Sequence, residues 1–318
     1  MGYPAVVTTV DLFSTGSAAF GHWPPWPGRM VAFDGRTSYV RHTPATSAAA
    51  EPAVFLHGLG GSGQNWTDLA GLLADRLDGE ALDLPGFGRS EPGGDYSVRS
   101  VAGRVIRWIE FSGGHPVHLF GNSFGGTVAI WVAAHRPDLV RTLTVISPAM
   151  PFLDLRRSLH APLVPVVLLP GAAARMARAM AGTPPQELAT QVLTACFGDL
   201  SRLSPRRLAE AQEEVAARYP LPYYPTVYAH TLRGLVRAFA RAYLPGAGSL
   251  WRVAERVAAP TLVVGGTADR IVDPRVAPRV ARLIPGARLS MLDGVGHVAQ
   301  IEAPAAVADD VRQLLGGN

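Results

Sequence analysis

Lysine is missing from this chain of 318 residues: all 29 basic residues are arginine. Schiff-base chemistry and a P-loop both need a lysine ammonium and are excluded. Arginine without lysine, beside abundant Ala, Gly and Pro, reads as the mark of a GC-rich genome rather than of charge chemistry. Cysteine is nearly missing too. The single Cys196 excludes an intramolecular disulfide framework and cannot alone make a structural zinc site, which fits a reducing cytoplasm. No stretch approaches the roughly 18 consecutive apolar residues of a transmembrane helix. The longest apolar candidate, APLVPVVLLPGAAA, is cut by Pro162, Pro165 and Pro170. The N-terminus has no basic n-region, and Thr8, Thr9 and Asp11 interrupt its apolar run, so it is a poor secretory signal. Only 17% of residues are charged against 48% hydrophobic, enough apolar material for a sizeable core in a soluble protein.

What the chain does hold is an alternation of short apolar strands and helical segments. Residues 1–28 end in HWPPWPG and read as an irregular arm. MVAFDGRTSYVRHTP alternates on either side of Asp34-Gly35, a β-hairpin signature. AVFLHG is a short apolar strand running into glycine, as buried parallel strands do. A helix is expected around 65–76, a strand in GEALDLPGFG, a helix over 97–112, and a strand in VRTLTVISP. APTLVVGGTADRI and ARLSMLDGVGH supply two more strands, each trailed by a helical segment. The pattern predicts an open, largely parallel sheet. Residues 151–247 break it with Ala/Arg/Leu-rich helical segments and many prolines. They carry 11 Arg against 6 Asp and Glu and read as a helical insertion. The expected division is a core in two parts, 1–150 and 248–318, around an inserted cap or lid at 151–247.

The sharpest signal is HLFGNSFGGTVAIWVAAHRP, residues 118 to 137, half strand and half helix with only Gly121-Asn122-Ser123-Phe124-Gly125 between them. So abrupt a reversal forces the apex residue into a strained backbone and demands small neighbours, which the glycines at 121 and 125 provide. It lifts the serine hydroxyl clear of the sheet and aims the helix N-terminus at the same point.

GNSFGG, together with FLHGLGGSGQNW, DLPGFGRS, VVGGTADRIVDP and DGVGHVAQIEAP in that order, resembles the α/β-hydrolase superfamily over nearly the whole chain. The resemblance implies an α/β fold: a mostly parallel central sheet, flanking helices and a helical cap inserted after the sixth strand. It also implies a nucleophile elbow at Ser123. A serine needs a base, and the base an orienting acid. His297, in GVGHVAQIE, stands where the family carries its catalytic histidine. His118 sits in the strand before Ser123 and reads as a core residue. His57 precedes the loop glycines, which in similar proteins it braces. His22, His42, His115, His135, His160 and His230 lack any motif.

Asp269 ends the strand TLVVGGTAD and matches the family's acid position, giving the chain order Ser, Asp, His. Asp273 is the nearest rival and reads as a cap for the helix that starts near Pro274. The family's second acid position, after VRTLTVIS, holds Ser147-Pro148, and the first carboxylate beyond it is Asp154. The oxyanion-hole donors implied by the resemblance are the backbone N–H groups of Leu59 and Phe124.

Serine at the apex points away from the aspartate-dependent dehalogenase and epoxide-hydrolase branches. The expected substrate is a small, largely apolar carboxylic ester or thioester, with no metal and no cofactor. Two alternatives stand beside it. GNSFGG and HVAQIE look similar to enzymes that cleave C–C bonds in aromatic ring-fission products, although those follow the histidine with tryptophan where this chain has Val298. The fold also serves as a small-molecule receptor with slow hydrolysis. Nucleic-acid binding is not expected, because the arginines are dispersed without aromatic interleaving. The insertion's Arg156, Arg157, Arg175, Arg178, Arg206 and Arg207 either solvate helix faces or attract an anionic group, including weak contact with an acidic membrane surface.

Overall fold

The structure, a computed structural model, describes residues 7–10, 23–152, 163–244 and 249–316. His22, Asp154, Arg156, Arg157, His160 and the boundary at 247 lie outside the described residues. The strands are β1 (Val7–Val10), β2 (Gly28–Phe33), β3 (Arg36–Thr43), β4 (Glu51–Leu56), β5 (Leu77–Leu82), β6 (Val117–Asn122), β7 (Val140–Ile146), β8 (Thr261–Gly266) and β9 (Arg288–Leu292). They form one sheet in the order β1-β9-β8-β7-β6-β4-β5-β3-β2. All neighbours pair in parallel except β3, which runs antiparallel to both β2 and β5. The β2–β3 hairpin turns on Asp34 and Gly35, both at positive φ (52° and 71°), as a two-residue turn matched to strand twist requires.

The arm expected to be irregular contributes β1, with Val7 opposite Leu289 and Val10 opposite Leu292. VTTV is a run of β-branched residues that suits a pleated strand, and β9 offers it a sheet edge. The strand counted sixth from the sequence is therefore β7.

The helices are α1 (Thr67–Leu72), α2 (Val98–Phe111), α3 (Phe124–His135), α4 (Leu163–Leu168), α5 (Ala172–Ala181), α6 (Pro185–Cys196), α7 (Pro205–Arg218), α8 (Tyr224–Arg241), α9 (Leu250–Ala254), α10 (Val276–Leu283), α11 (Ala299–Glu302) and α12 (Pro304–Leu314). Central strands are apolar on both faces because both faces are covered. Val54, Leu56, Val145 and Val263 face a core built with α2, α3, α9 and α10, while Phe55, Ile146 and Val264 face a second core with α1 and α12. Helices α4 to α8 fill the stretch between β7 and α9.

Two arginines of α7 are not solvated. Arg207 is buried, with Nε donating to Asp68 Oδ2 at 2.8 Å, Nη2 donating to the Trp23 carbonyl at 2.9 Å, and Glu210 as a second ion-pair partner. Arg218 is buried as well. The sequence leaves Arg207 either solvating a helix face or attracting an anion; instead that face of α7 packs on α1 and on the loop after β4.

The order of the strands reverses around β4, which has β5 on one side and β6 on the other. The crevice beyond the carboxyl ends of β4 and β6 is therefore the switch point where an open α/β sheet gathers its functional groups. The register fixes it: Leu56, last in β4, lies opposite Gly121, two residues before Ser123.

Candidate active site

The turn from β6 to α3 passes through Ser123 at φ 53° and ψ −118°, a backbone that L-residues seldom adopt. Its surroundings hold it there. Ser123 N–H donates to the Ile146 carbonyl at 3.0 Å, and its own carbonyl accepts from Thr127 and Ala149 N–H. A Cβ at Gly121 would lie 2.4 Å from the Gly125 carbonyl oxygen, and one at Gly125 only 2.3 Å from that of Leu56. Only glycine fits at both positions. The Ser123 side chain takes no part in capping α3.

Asp269 and His297 lie beyond β8 and β9. His297 Nδ1–H donates to Asp269 Oδ2 at 2.9 Å, with both residues buried. This fixes the tautomer and leaves Nε2 free to accept a proton. Asp269 Oδ1 accepts from the N–H groups of Ile271 (2.8 Å) and Val272 (2.9 Å). Burial alone would raise this carboxyl, but the His297 interaction and those two amides outweigh it, so its pKa lies below the ordinary value. The rival Asp273 is occupied elsewhere, accepting from the backbone and side chain of Arg275 just ahead of α10.

The loop after β4 meets the turn at Ser123 closely: a Cβ on Gly58 would lie 3.1 Å from Ser123 Cβ. The carbonyl of Gly58, on the same peptide group as the Leu59 N–H, accepts from His57 Nδ1–H at 2.7 Å and from Gly61 N–H at 3.0 Å. His57 Nε2 in turn accepts from Leu84 N–H at 2.9 Å. Burial drives the His57 pKa down to about 3, so it stays neutral and its donor and acceptor sides are fixed. Among the described residues the Leu59 N–H donates to no other backbone group. Phe124, as the first residue of α3, has an amide with no intrahelical acceptor.

Ser123, His297 and Leu59 line one cavity of about 520 Å³. Its far walls come from α5 to α8 and are largely apolar, with Met176, Leu188, Val192 and Leu193 among them. The size is that of a small-molecule site. Cys196 also lines it, but burial pushes its thiol up to about 12, so it offers no thiolate. His118 is remote from this chemistry, buried between Thr142 Oγ1 and Glu51 Oε2 at 2.8 Å from each.

Three residues at the site were not singled out in the sequence. Asn122 Nδ2 donates to the carbonyls of His297 (3.0 Å) and Ile146 (3.1 Å), tying the elbow to the histidine loop. Glu302 is buried and accepts from Gly296 N–H (2.8 Å), Gly198 N–H (3.0 Å) and Asp199 N–H (3.0 Å), joining that loop to the inserted segment. Arg218, at the end of α7, donates through Nη1 to the carbonyls of Gly60 (2.6 Å) and Gly61 (3.0 Å). Of the three, only Glu302 left a trace in the sequence, as a carboxylate within the apolar run after His297.

A family profile described as the alpha/beta hydrolase fold matches residues 52–304. The chain is 32% identical over 247 residues to part of the polyketide synthase ThaQ of Burkholderia thailandensis, covering 77% of this chain but 11% of that protein. It is 27% identical over 289 residues to a 2-hydroxy-6-oxononadienedioate/2-hydroxy-6-oxononatrienedioate hydrolase of Cupriavidus pinatubonensis, covering 89% of this chain and 93% of that one. Among solved structures, a membrane phospholipase A described as a bacterial virulence factor superposes with a TM-score of 0.70 at 25% identity, over 92% of this chain and 86% of that one.

Proposed function

The chain belongs to the α/β-hydrolase family, and from that premise we propose that it is a serine hydrolase acting on a carboxylic ester or thioester of a small, largely apolar substrate. The observation that carries this reading is the Asp269–His297 hydrogen bond, in a tautomer that leaves Nε2 free, on the wall of the cavity that Ser123 lines. In the proposed cycle Ser123 Oγ attacks the carbonyl carbon while His297 Nε2 takes its proton, and Asp269 steadies the imidazolium. The oxyanion is received by the N–H groups of Leu59 and Phe124, at the N-terminus of α3. The tetrahedral adduct collapses as His297 protonates the leaving alkoxide or thiolate. Water, deprotonated by the same imidazole, then releases the acid from the Ser123 acyl-enzyme.

The inserted helices act in this reading as a lid that sets substrate choice, supported by the apolar walls they give the cavity. Cytoplasmic residence belongs to the same reading and rests on the near absence of cysteine. Among the described residues no helix is long and apolar enough to cross a membrane.

A second reading, hydrolysis of a C–C bond, draws on the full-length similarity to the dienedioate hydrolase. A series of nitrophenyl acyl esters of rising chain length, run beside thioesters and ring-fission dienones, separates the two. Turnover of the esters or thioesters is expected. Turnover of the dienones alone would install the second reading, and inertness toward every substrate would overturn both.

A further inference from the structure

A second recess, of about 900 Å³, is lined by residues of α2, α3, α8 and α9 and the loop before α2. It lies on a different face of α8 from the catalytic cavity. Tyr224 and Tyr228 line that cavity, whereas Arg233, Arg237 and Arg241 line the recess. Residues four apart share a helix face, so these three arginines stand in a row about 12 Å long on α8. Arg99 and Arg256 also line the recess.

The charges there are not compensated as elsewhere in the molecule. Arg104 and Arg107 share Asp34, Arg136 is held by Glu110 and Asp138, and Arg207 by Asp68 and Glu210. Among the described residues none of the five arginines of the recess has a carboxylate partner. Arg233 donates to the carbonyls of Val167 (2.6 Å) and Leu169 (3.3 Å), and Arg256 lies 3.0 Å from His135 Nε2. The one carboxylate in the lining, Asp95, is hydrogen-bonded to the backbone and hydroxyl of Ser97.

We propose that this recess binds phosphate-ester anions. Several guanidinium forks lining one recess suit an oxyanion that carries more than one charge and offers three or more acceptor oxygens, whereas a lone carboxylate would engage only one fork well. The concave shape and volume suit a small ligand or a headgroup. Two sources share this chemistry. A soluble phosphorylated compound would use the recess alone. An anionic lipid headgroup would also bring its membrane against exposed apolar side chains nearby: Leu168 and Leu169, the latter's carbonyl bonded by Arg233, and Tyr243 and Leu244, which follow Arg241 in the chain.

The full chain is titrated calorimetrically with inorganic pyrophosphate at low ionic strength, and sedimented with phosphatidylglycerol vesicles against phosphatidylcholine vesicles. The Arg237→Gln/Arg241→Gln variant, altered at exposed positions outside the catalytic cavity, is compared with the charge-matched Arg29→Gln/Arg76→Gln variant. Binding of at least one anionic probe is expected, weakened about tenfold or more in the first variant and unchanged in the second, with ester turnover unaffected in both. Pyrophosphate binding without vesicle binding assigns a soluble ligand; binding to phosphatidylglycerol vesicles alone assigns a headgroup. Failure of the wild-type chain to bind either probe, or an equal loss in the charge-matched variant, would overturn the proposal.

Discussion

Asn122 and His297 are joined directly: the amide side chain next to Ser123 donates to the backbone carbonyl of His297 at 3.0 Å. The elbow and the histidine loop are thus registered against each other by one buried group that also holds the Ile146 carbonyl. Asn122→Ala should lower kcat by about 10- to 100-fold with little change in KM, because small displacements of a base from its nucleophile are costly. An unchanged kcat in a folded variant would remove Asn122 from the positioning machinery.

Arg218 links α7 to the loop that presents Leu59. Replacing it with Met removes both donations to the Gly60 and Gly61 carbonyls. Expected are a kcat reduced about tenfold or more and a matching loss of affinity for a boronate transition-state analogue. Binding of an unreactive ether analogue of the substrate should change little, and Arg218→Lys should recover part of the loss. Equal weakening of both analogues would make Arg218 a wall of the pocket and not a support of the oxyanion hole.

Glu302 accepts three backbone N–H groups from two segments in a fully buried setting. Glu302→Gln leaves one oxygen to accept and turns an amino group toward donors. It should cost about 2–3 kcal/mol of stability, read as a lowered denaturant midpoint, and should reduce kcat as the histidine loop loosens.

The histidine at 57 makes the protein sensitive to acid. Its folded pKa is lowered to about 3 from 6.5, so the unfolded chain takes up a proton first as the pH falls. Its contribution to stability is present above pH 6.5 and is lost progressively below it, by about 2 kcal/mol at pH 5. Asp83 acts in the opposite sense. Burial raises it to about 6 against the N–H donations of Gly63 and Arg89, so its contribution is lost as the pH rises from 3.8 to about 6. The two partly cancel in the wild-type protein. The stability difference between wild type and His57→Gln should therefore shrink by about 2 kcal/mol between pH 7.5 and pH 5, measured by urea unfolding. A difference that does not vary with pH would contradict a neutral, buried His57.

The parts of the site legible in the sequence are those whose physics is local. Ser123 is marked by the glycines that its strained backbone requires within two residues on either side. The central parallel strands β4, β6, β7 and β8 are marked by their own apolar residues. The hairpin turn is marked by Asp34-Gly35. What holds these pieces together is long-range. Asn122 meets His297 across 175 positions, Arg218 meets Gly60 across 158, and Arg207 meets Asp68 across 139. Nothing local distinguishes an arginine that reaches the core from one that solvates a helix face, so neither Arg207 nor Arg218 carries a mark of its burial. The strand Val7–Val10 was hidden for a related reason: it exists because β9 offers it an edge.

The central claim, that Ser123 is the nucleophile, is tested most directly by intact-mass spectrometry and peptide mapping after reaction with a fluorophosphonate. Expected are a single adduct on Ser123, turnover lost in step with labelling, and neither adduct nor more than about a thousandth of the activity in a folded Ser123→Ala variant. An adduct on Cys196 or on another serine, with turnover retained in Ser123→Ala, would contradict it.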